Sequence, residues 1–244
     1  MLPSSVRLIG ALAAALGLLT AGAFALQAHD RGDGVADADL TAQRYVLARL
    51  DAPSLSRLGP QRTRHLAGEL QVPAPALRAY ARAARSAPTA CHVGWTTLAG
   101  IGYVESRHGT LGSRTLEPDG HSSSPIIGPA LDGSGDFAAI RSTSASRGLH
   151  GDAVWEHAVG PMQFLPETWA RYAVDGDGDG RADPLDLDDA AAGTACYLCA
   201  GGGDLRTAVG WEKAILSYNH SMQYVDDVYA AASAYATRGR RAVS

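Results

Sequence analysis

Apolar residues recur at helical spacing through most of this 244-residue chain, and no segment alternates apolar and polar residues as a half-buried strand does. Between residues 110 and 152 the helical period is lost, and Gly, Ser, Pro and Asp dominate. A long irregular stretch of this kind within a compact domain is usually functional. We therefore predict a mainly α domain with one loop-rich region, which contains a small β-hairpin around Pro125 to Ile140. Helices are predicted over residues 95–107, 166–172, 189–199, 207–218 and 221–237, with a further helix starting at Pro75.

The N-terminus carries the pattern of an export signal. Arg7 precedes an uncharged, mostly apolar run from Leu8 to Ala28, and Ala23-Phe24-Ala25 offers an A-x-A-like cleavage site. The run also has about the 20 residues that a helix needs to cross a bilayer. A cleaved signal peptide and a retained membrane anchor, over residues 1–28, both remain open. In either case we expect the body of the protein outside the cytoplasm.

The composition of the rest of the chain indicates how it is organised into a linker, a main domain and a tail. Residues 29–71 are predicted to form a linker and helical stalk, with short helical patterns over 40–50 and 61–70. The main domain is placed at 72–237 and a C-terminal tail at 238–244. The 46% hydrophobic and 19% charged residues fit a folded domain. A net charge of −4 gives no electrostatic reason to expect nucleic acid, and we expect a monomer.

A single carboxylate lies on the apolar face of the helix predicted over 95–107. Leu98, Ile101 and Glu105 are spaced i, i+3 and i+7, and the helix is expected to end at His108-Gly109 with Gly as its cap. Burial disfavours an ionised carboxylate and raises its pKa, as the acid of a glycosidase requires. The alternative is an ordinary glutamate whose stem packs while its carboxylate reaches solvent or an arginine.

Two glycines interrupt the same helix just before Glu105. Gly100 and Gly102 each cost about 1 kcal/mol of helix stability relative to Ala. Their presence is explained if another backbone or a sugar approaches the helix closely at this point.

Residues 175–186, with the sequence DGDGDGRADPLD, follow the spacing of an EF-hand calcium loop. Clustered carboxylates repel one another without a cation, which favours Ca²⁺ over a solvated acidic turn. The last position holds Asp where an EF-hand has a bidentate Glu. The predicted ligands are Asp175, Asp177, Asp179, the Arg181 carbonyl and, at the last position, Asp186.

Three cysteines allow one disulfide with one thiol left over, in keeping with an exported protein. Cys196 and Cys199 stand one helical turn apart, so either is a possible partner of Cys91. The alternative is that all three are small buried apolar residues.

Three sequence blocks together resemble those of the lytic murein transglycosylases. The blocks are AGIGYVESRHG at 99–109, AVGPMQFLP at 158–166 and SYN at 217–219, in the same order and at similar spacing. The likeness covers roughly residues 72–235 and is greatest to the membrane-bound B type and its actinobacterial relatives. It implies a fold similar to goose-type lysozyme.

The resemblance implies that Glu105 acts alone as general acid and then base. It would cleave the MurNAc–GlcNAc β-1,4 bond of peptidoglycan strands and leave a 1,6-anhydro-MurNAc end. A muramidase that admits water, and an inactive peptidoglycan-binding module, are the alternatives. The protein would then be secreted, in the cell wall, or held at the outer face of the membrane. The substrate-binding residues implied by the blocks are Ser106, Met162, Gln163, Phe164, Tyr218 and Asn219.

The resemblance also refines the calcium site and the disulfide. A later Asp at the start of the next helix completes the loop in B-type relatives, and Asp189 matches that position. Asp186 and Asp189 thus both stand as candidates for the last ligand. The family pattern favours Cys199 as the partner of Cys91, which leaves Cys196 as the free thiol.

Overall fold

The computed structural model describes residues 40–41, 44–50, 55, 59–135 and 138–243. The segment 1–28, predicted to be a signal peptide or anchor, lies outside these residues. Within them, none of the helices has the length and apolar character needed to cross a membrane.

Helices account for most of the described residues, which confirms the mainly α prediction. A 3-10 helix at Leu47–Leu50 comes first. It is followed by α1 (Pro60–Leu70), α2 (Ala74–Ser86), α3 (Trp95–Ser106), α4 (Arg147–His150), α5 (Pro166–Tyr172), α6 (Leu187–Gly202), α7 (Ala208–Tyr218) and α8 (Met222–Val243).

Helix α3 lies at the centre of the core, with α2 and α8 packed against it. Leu98, Ala99 and Ile101 are completely buried, so the helix is enclosed rather than amphipathic. The two glycines explain how its neighbours come so close. A Cβ at Gly100 would lie 2.8 Å from the Val228 carbonyl oxygen of α8. At Gly102 the Tyr80 hydroxyl of α2 fills the space that a Cβ would need. A neighbouring backbone and a tyrosine, not a sugar, occupy these two positions.

The expected Gly109 cap of α3 is wrong, because the helix ends earlier. Arg107 is the C-cap in a left-handed conformation with φ 55°, and His108 follows at φ 62°. The reason is the buried His108 ring, which lies 3.0 Å from the Tyr80 hydroxyl and 2.7 Å from the Tyr235 hydroxyl. Burial lowers the pKa of His108 to about 3, so the imidazole is neutral and donates through one nitrogen while accepting through the other.

The loop-rich region contains isolated antiparallel bridges, and its described residues form no extended strand. The hairpin predicted around Pro125 to Ile140 is reduced to one bridge, Asp132 with Ala139. The preceding residues pair instead with a later segment, through the bridge of Ile127 with Val159. Side chains of Leu131, Ala158 and Leu165 form a small second core there, which explains why the longer-range pairing prevails.

Residues from the predicted linker and stalk contribute to the main core. Tyr45, Leu66 and Leu70 are at most 3% exposed and belong to the same cluster as α3. Arg44 and the Tyr45 hydroxyl both bind the carboxylate of Asp226 on α8. The described part of this segment is thus packed on the domain, while the domain boundaries themselves stay a prediction.

A disulfide joins Cys91 to Cys199 with their Cα atoms 5.3 Å apart, as the family resemblance predicted. It links the segment before α3 to the C-terminal half of α6. Cys196 is the free, half-buried thiol. Closing a long loop of chain in this way restricts the unfolded state and stabilises the fold.

Replacing Gly102 by Ala should lower the free energy of unfolding by about 1–3 kcal/mol, because the added methyl group overlaps the buried Tyr80 ring. Chemical denaturation measures the change. Gly68→Ala on α1 is the matched control, since its Cβ meets nothing within 4 Å. That variant should gain up to about 1 kcal/mol from helix propensity. Equal effects of the two substitutions would contradict the packing described for α3.

Candidate active site

Glu105 lies in the last turn of α3 and is half-buried. Its Oε1 accepts a hydrogen bond of 2.5 Å from the Tyr224 hydroxyl at the start of α8. Burial raises the pKa of the carboxyl to about 7, although the Tyr224 hydrogen bond by itself lowers it. Near neutral pH the Glu105 carboxyl is therefore protonated in part of the molecules. When it is ionised, the Tyr224 hydroxyl donates a hydrogen bond to it.

Tyr224 was not among the residues predicted from the sequence. It lies outside the three blocks, and only the packing of α8 on α3 brings it to Glu105. Tyr218 is one of the residues that the sequence blocks imply for substrate binding. Its hydroxyl instead donates to the Met162 carbonyl at 2.6 Å, and its ring lies parallel to that of Tyr224. Burial raises the pKa of both tyrosines well above the ordinary value, so both remain protonated donors.

An aromatic row continues outward from this pair. The Tyr197 ring lies 5.4 Å from that of Tyr218, and Tyr172 on α5 stacks on Tyr197 at 4.8 Å. Tyr172 and Tyr197 are both half-exposed. No spacing in the sequence relates them, because they come from α5, α6 and α7. The row gives the site a wall of flat, amphipathic surfaces beside Glu105.

Residues 160–163 form a turn closed by the hydrogen bond from the Gln163 N–H to the Gly160 carbonyl, and we call it the Gln163 turn. Its last residue has an unusual backbone conformation. Gln163 has φ 50°, and its Nε2 donates to the Gly160 carbonyl at 2.9 Å. The amide oxygen lies against Gly128, 2.7 Å from where a Cβ would stand. A non-glycine residue in this region is strained, and such strain concentrates at functional sites. Gln163 is half-exposed, so its amide is accessible from one side.

Met162 and Phe164 do not face a substrate. Met162 is completely buried and Phe164 is 2% exposed, with its ring edge-on to Trp169 and Tyr218. Their predicted place among the substrate-binding residues is corrected: they belong to the core beneath the Gln163 turn. In the block at 158–166, the half-exposed Gln163 lies between the two buried residues Met162 and Phe164. The sequence alone does not separate the buried residues from the exposed one.

Ser106 is also structural in its contacts. It is 1% exposed, donates to the Pro161 carbonyl at 2.5 Å and accepts from the Gly109 N–H at 2.8 Å. It therefore ties the end of α3 to the Gln163 turn, and the predicted substrate contact is wrong because its hydroxyl is occupied and buried. Asn219 is 6% exposed and caps α7, its N–H donating to Ile215; a role in binding stays a prediction.

Carboxylates of the loop region are engaged in the loops themselves. Asp152 accepts from the Val154 and Trp155 N–H groups and pairs with His157, and these contacts lower its pKa to about 2. Buried Glu156 binds His150 at 2.6 Å. Asp132 accepts from the Ser134 N–H, while Asp136 lies outside the described residues.

The acidic loop brings together three of its predicted ligands. Carboxylate oxygens of Asp175, Asp177 and Asp189 lie within 4.8 Å of one another. Backbone N–H groups hold all three: Gly178 and Gly180 donate to Asp175, Asp179 donates to Asp177, and Gly176 and Asp183 donate to Asp189. Asp189 is buried, and burial raises its pKa, so a cation would stabilise its ionised form. The cluster has the hard oxygen donors that suit Ca²⁺.

The carboxylates of Asp179 and Asp186 stand outside that cluster, and the Arg181 carbonyl stays a prediction. Asp186 is the N-cap of α6, where it accepts from the Asp188 N–H at 2.7 Å, and its carboxylate packs against Gly120. Asp179 accepts from the Arg181 N–H at 2.8 Å, which closes the turn. Of the two candidates for the last ligand, Asp189 is the one that the fold brings to Asp175 and Asp177.

Residues 140–212 match the family described as Transglycosylase SLT domain. The match confirms the lytic transglycosylase resemblance over the Gln163 turn, the acidic loop and α6. Glu105, Tyr218 and Tyr224 lie outside the matched segment.

Comparison with solved structures finds distant likenesses to lytic transglycosylases. The Escherichia coli lytic transglycosylase Slt35 in complex with calcium has 18% sequence identity and a TM-score of 0.46, covering 86% of this chain and 85% of that one. SltB3 from Pseudomonas aeruginosa, in complex with NAG-anhNAM-pentapeptide, has 17% identity and a TM-score of 0.40, covering 81% and 78%. No curated protein sequence matches this chain significantly.

Glu105→Gln should raise the free energy of unfolding relative to the unmodified protein at pH 8 but not at pH 4. The folded-state pKa of about 7 lies above the ordinary value of 4.5, so the folded protein binds the proton more tightly. Stability then falls as the pH rises from 4.5 to 7, by up to about 3 kcal/mol, and Gln removes this dependence.

Urea denaturation of both proteins across this pH range measures the difference. Glu69→Gln, which changes an exposed glutamate of α1, serves as the control and should leave the pH dependence unchanged. A stability difference that stays constant between pH 4 and pH 8 would contradict the raised pKa of Glu105.

Proposed function

We propose that the protein is a peptidoglycan lytic transglycosylase in which Glu105 is the catalytic acid and base. One observation carries the proposal: the Glu105 carboxyl has a pKa of about 7 and sits beside an aromatic wall. The SLT match over residues 140–212 supports the same substrate class. A protonated carboxyl beside an aromatic wall suits glycosidic bond cleavage.

The first step uses Glu105 in its protonated form. The carboxyl donates its proton to the oxygen that links C1 of MurNAc to GlcNAc, and the C1–O bond breaks. Positive charge develops at C1, where the substrate's own N-acetyl group supplies the stabilisation. Glu105 is left ionised, and the Tyr224 hydroxyl, which already donates to Oε1, stabilises that charge.

In the second step Glu105 acts as the base. It removes the proton from the 6-hydroxyl of the same MurNAc, and that oxygen forms a bond to C1. The product ends in 1,6-anhydro-MurNAc, Glu105 has regained its proton, and no water is consumed. Gln163, strained and half-exposed, is proposed to hold the sugar or its acetamido group at the opposite wall.

The hydrolytic alternative requires an activated water near the same intermediate. An inverting muramidase would need a second carboxylate to activate it. The described loop acids Asp132, Asp152 and Glu156 are engaged by loop N–H groups or histidines, which favours the single-carboxylate mechanism. A binding module would have no use for a carboxyl whose pKa is raised to neutrality.

We further propose that the acidic loop binds Ca²⁺ through Asp175, Asp177 and Asp189. Its role is structural, because the end of this loop packs against the Gln163 turn: the Pro184 carbonyl fills the space beside Gly160. Fixing the loop would therefore fix Gly160 and, through it, the strained Gln163. The N-terminal segment would deliver the domain to the cell wall, as a cleaved signal or as a membrane anchor.

Adding Ca²⁺ should raise the melting temperature by roughly 5–10 °C when its concentration is about a hundredfold above Kd. Calorimetry with calcium or with a chelator measures the increment. Asp189→Asn should abolish the increment. Asp186→Ala should lower the melting temperature in both conditions, through loss of the α6 cap, and keep the increment. A normal increment in Asp189→Asn would contradict the proposed site.

Mass spectrometry of the fragments that the full chain releases from purified peptidoglycan, with calcium present, tests the activity. We expect fragments ending in 1,6-anhydro-MurNAc, lighter than reducing ends by one water. Glu105→Gln should reduce their release at least about a thousandfold, since it removes the only proposed acid. Glu167→Gln, an exposed acid in the first turn of α5, should leave release unchanged.

Reducing-end fragments would identify a hydrolase instead. If the unmodified protein released nothing yet still bound the polymer, the enzyme proposal would fail and the binding module would remain.

A further inference from the structure

An open cavity of about 650 Å³ lies between the C-terminal halves of α1 and α3. We call it the Arg64–Arg107 groove. One wall is apolar and is formed by Ala67, Val72 and Pro73 with neighbouring backbone. The rest of the lining includes Tyr103 of α3, Arg107, which is the C-cap of that helix, and Arg64 of α1. Its volume is that of a site for a ligand of several residues or rings.

The groove carries positive charge that the described protein does not neutralise. Arg64 and Arg107 are both exposed, and among the described residues no carboxylate lies within ion-pair distance of either guanidinium. Other described arginines do have such partners, as Arg82 has in Asp188. A guanidinium group that has no carboxylate partner in the protein can bind the carboxylate of a ligand through two parallel hydrogen bonds.

Arg107 is also held in place for binding. Its guanidinium lies over the Tyr103 ring, 3.9 Å from the centroid. Its backbone is fixed in the left-handed region at φ 55° because the next residue, His108, is buried between Tyr80 and Tyr235. A side chain that is already ordered loses less entropy when it binds. The fold thus presents Arg107 to the groove on a rigid support.

The groove is separate from the proposed catalytic site. Tyr103 lies two residues before Glu105 on α3, about 200° around the helix axis from it, and so faces the opposite side of the helix, roughly 10 Å away across one helix diameter. The Arg107 guanidinium lies on that side too, over the Tyr103 ring. A ligand could occupy the groove while a glycan strand occupies the cleft.

We propose that the Arg64–Arg107 groove binds a peptide carboxylate, namely that of the stem peptides of peptidoglycan. That the peptide is a stem peptide of peptidoglycan rests on the proposed function. That the ligand is a peptide carboxylate rests on the charge and the apolar wall of the groove. Apolar walls suit the methyl groups and backbone of a short peptide, and the arginines suit its free carboxylates. A phosphate polymer would match the charge but leave the apolar wall without a partner. The groove would hold the enzyme on peptide-bearing strands next to the site of cleavage.

The test is calorimetric binding of sugar-free stem peptides, released from purified peptidoglycan by an amidase, to the full chain. Arg64→Gln and the pair Arg64→Gln with Arg107→Gln should each weaken binding, the pair by at least about tenfold. Arg62→Gln, an exposed arginine of α1 that does not line the groove, should bind as the unmodified protein does. The same peptides with amidated carboxyls should bind at least about tenfold more weakly.

Equal affinity of the double variant and the unmodified protein would overturn the proposal, as would undiminished binding of the amidated peptides. Binding of polyphosphate in place of the peptides would also overturn it. Arg64 lies on the surface of α1, so the peptide affinity of Arg64→Gln tests the proposal even if Arg107→Gln disturbs the end of α3. Peptide binding is read without cleavage, so its failure is distinct from a failure to release muropeptides.

Discussion

The close contact of α3 with α8 determines the chemistry of this protein. Gly100 lets the Val228 carbonyl of α8 approach α3 to a distance that no larger residue would permit. The same contact encloses Glu105 and places the Tyr224 hydroxyl on its carboxylate. Burial then raises the pKa, and the tyrosine limits how far it rises. Without this packing, Glu105 would be an ordinary surface glutamate.

Two further contacts keep the end of α3 in place. His108 lies between the hydroxyls of Tyr80 and Tyr235, which ties α3 to α2 and α8. Ser106 donates to the Pro161 carbonyl and so joins the end of α3 to the Gln163 turn. The acidic loop packs against that turn from the other side, at Gly160. The Ser106 side chain thereby holds the end of the helix carrying Glu105 to the turn carrying Gln163.

The sequence predicted those features that depend on local pattern. Helical periodicity placed α3 and α5 within a residue of their observed ends. The apolar stripe made Glu105 a candidate acid, and the resemblance to lytic transglycosylases favoured it over an ordinary surface glutamate. Contacts between distant elements were not predictable in this way. Tyr224 contacts Glu105 only because tertiary packing brings together residues 119 positions apart, and no sequence spacing predicts that contact. Ser106 and Met162 looked like site residues because they adjoin Glu105 and Gln163, yet both face inward. Asp186 fits the EF-hand numbering, but the start of α6 recruits it as a cap.

The central claim is that Glu105 holds its proton near neutral pH. Its most direct test is a carbon-13 NMR titration of the side-chain carboxyls of the full chain, with the Glu105 signal assigned by its loss in Glu105→Gln. We predict a midpoint near pH 7, well above the ordinary 4.5. A midpoint at or below 4.5 would contradict the account, because Glu105 would then be ionised at neutral pH and unable to protonate a leaving group.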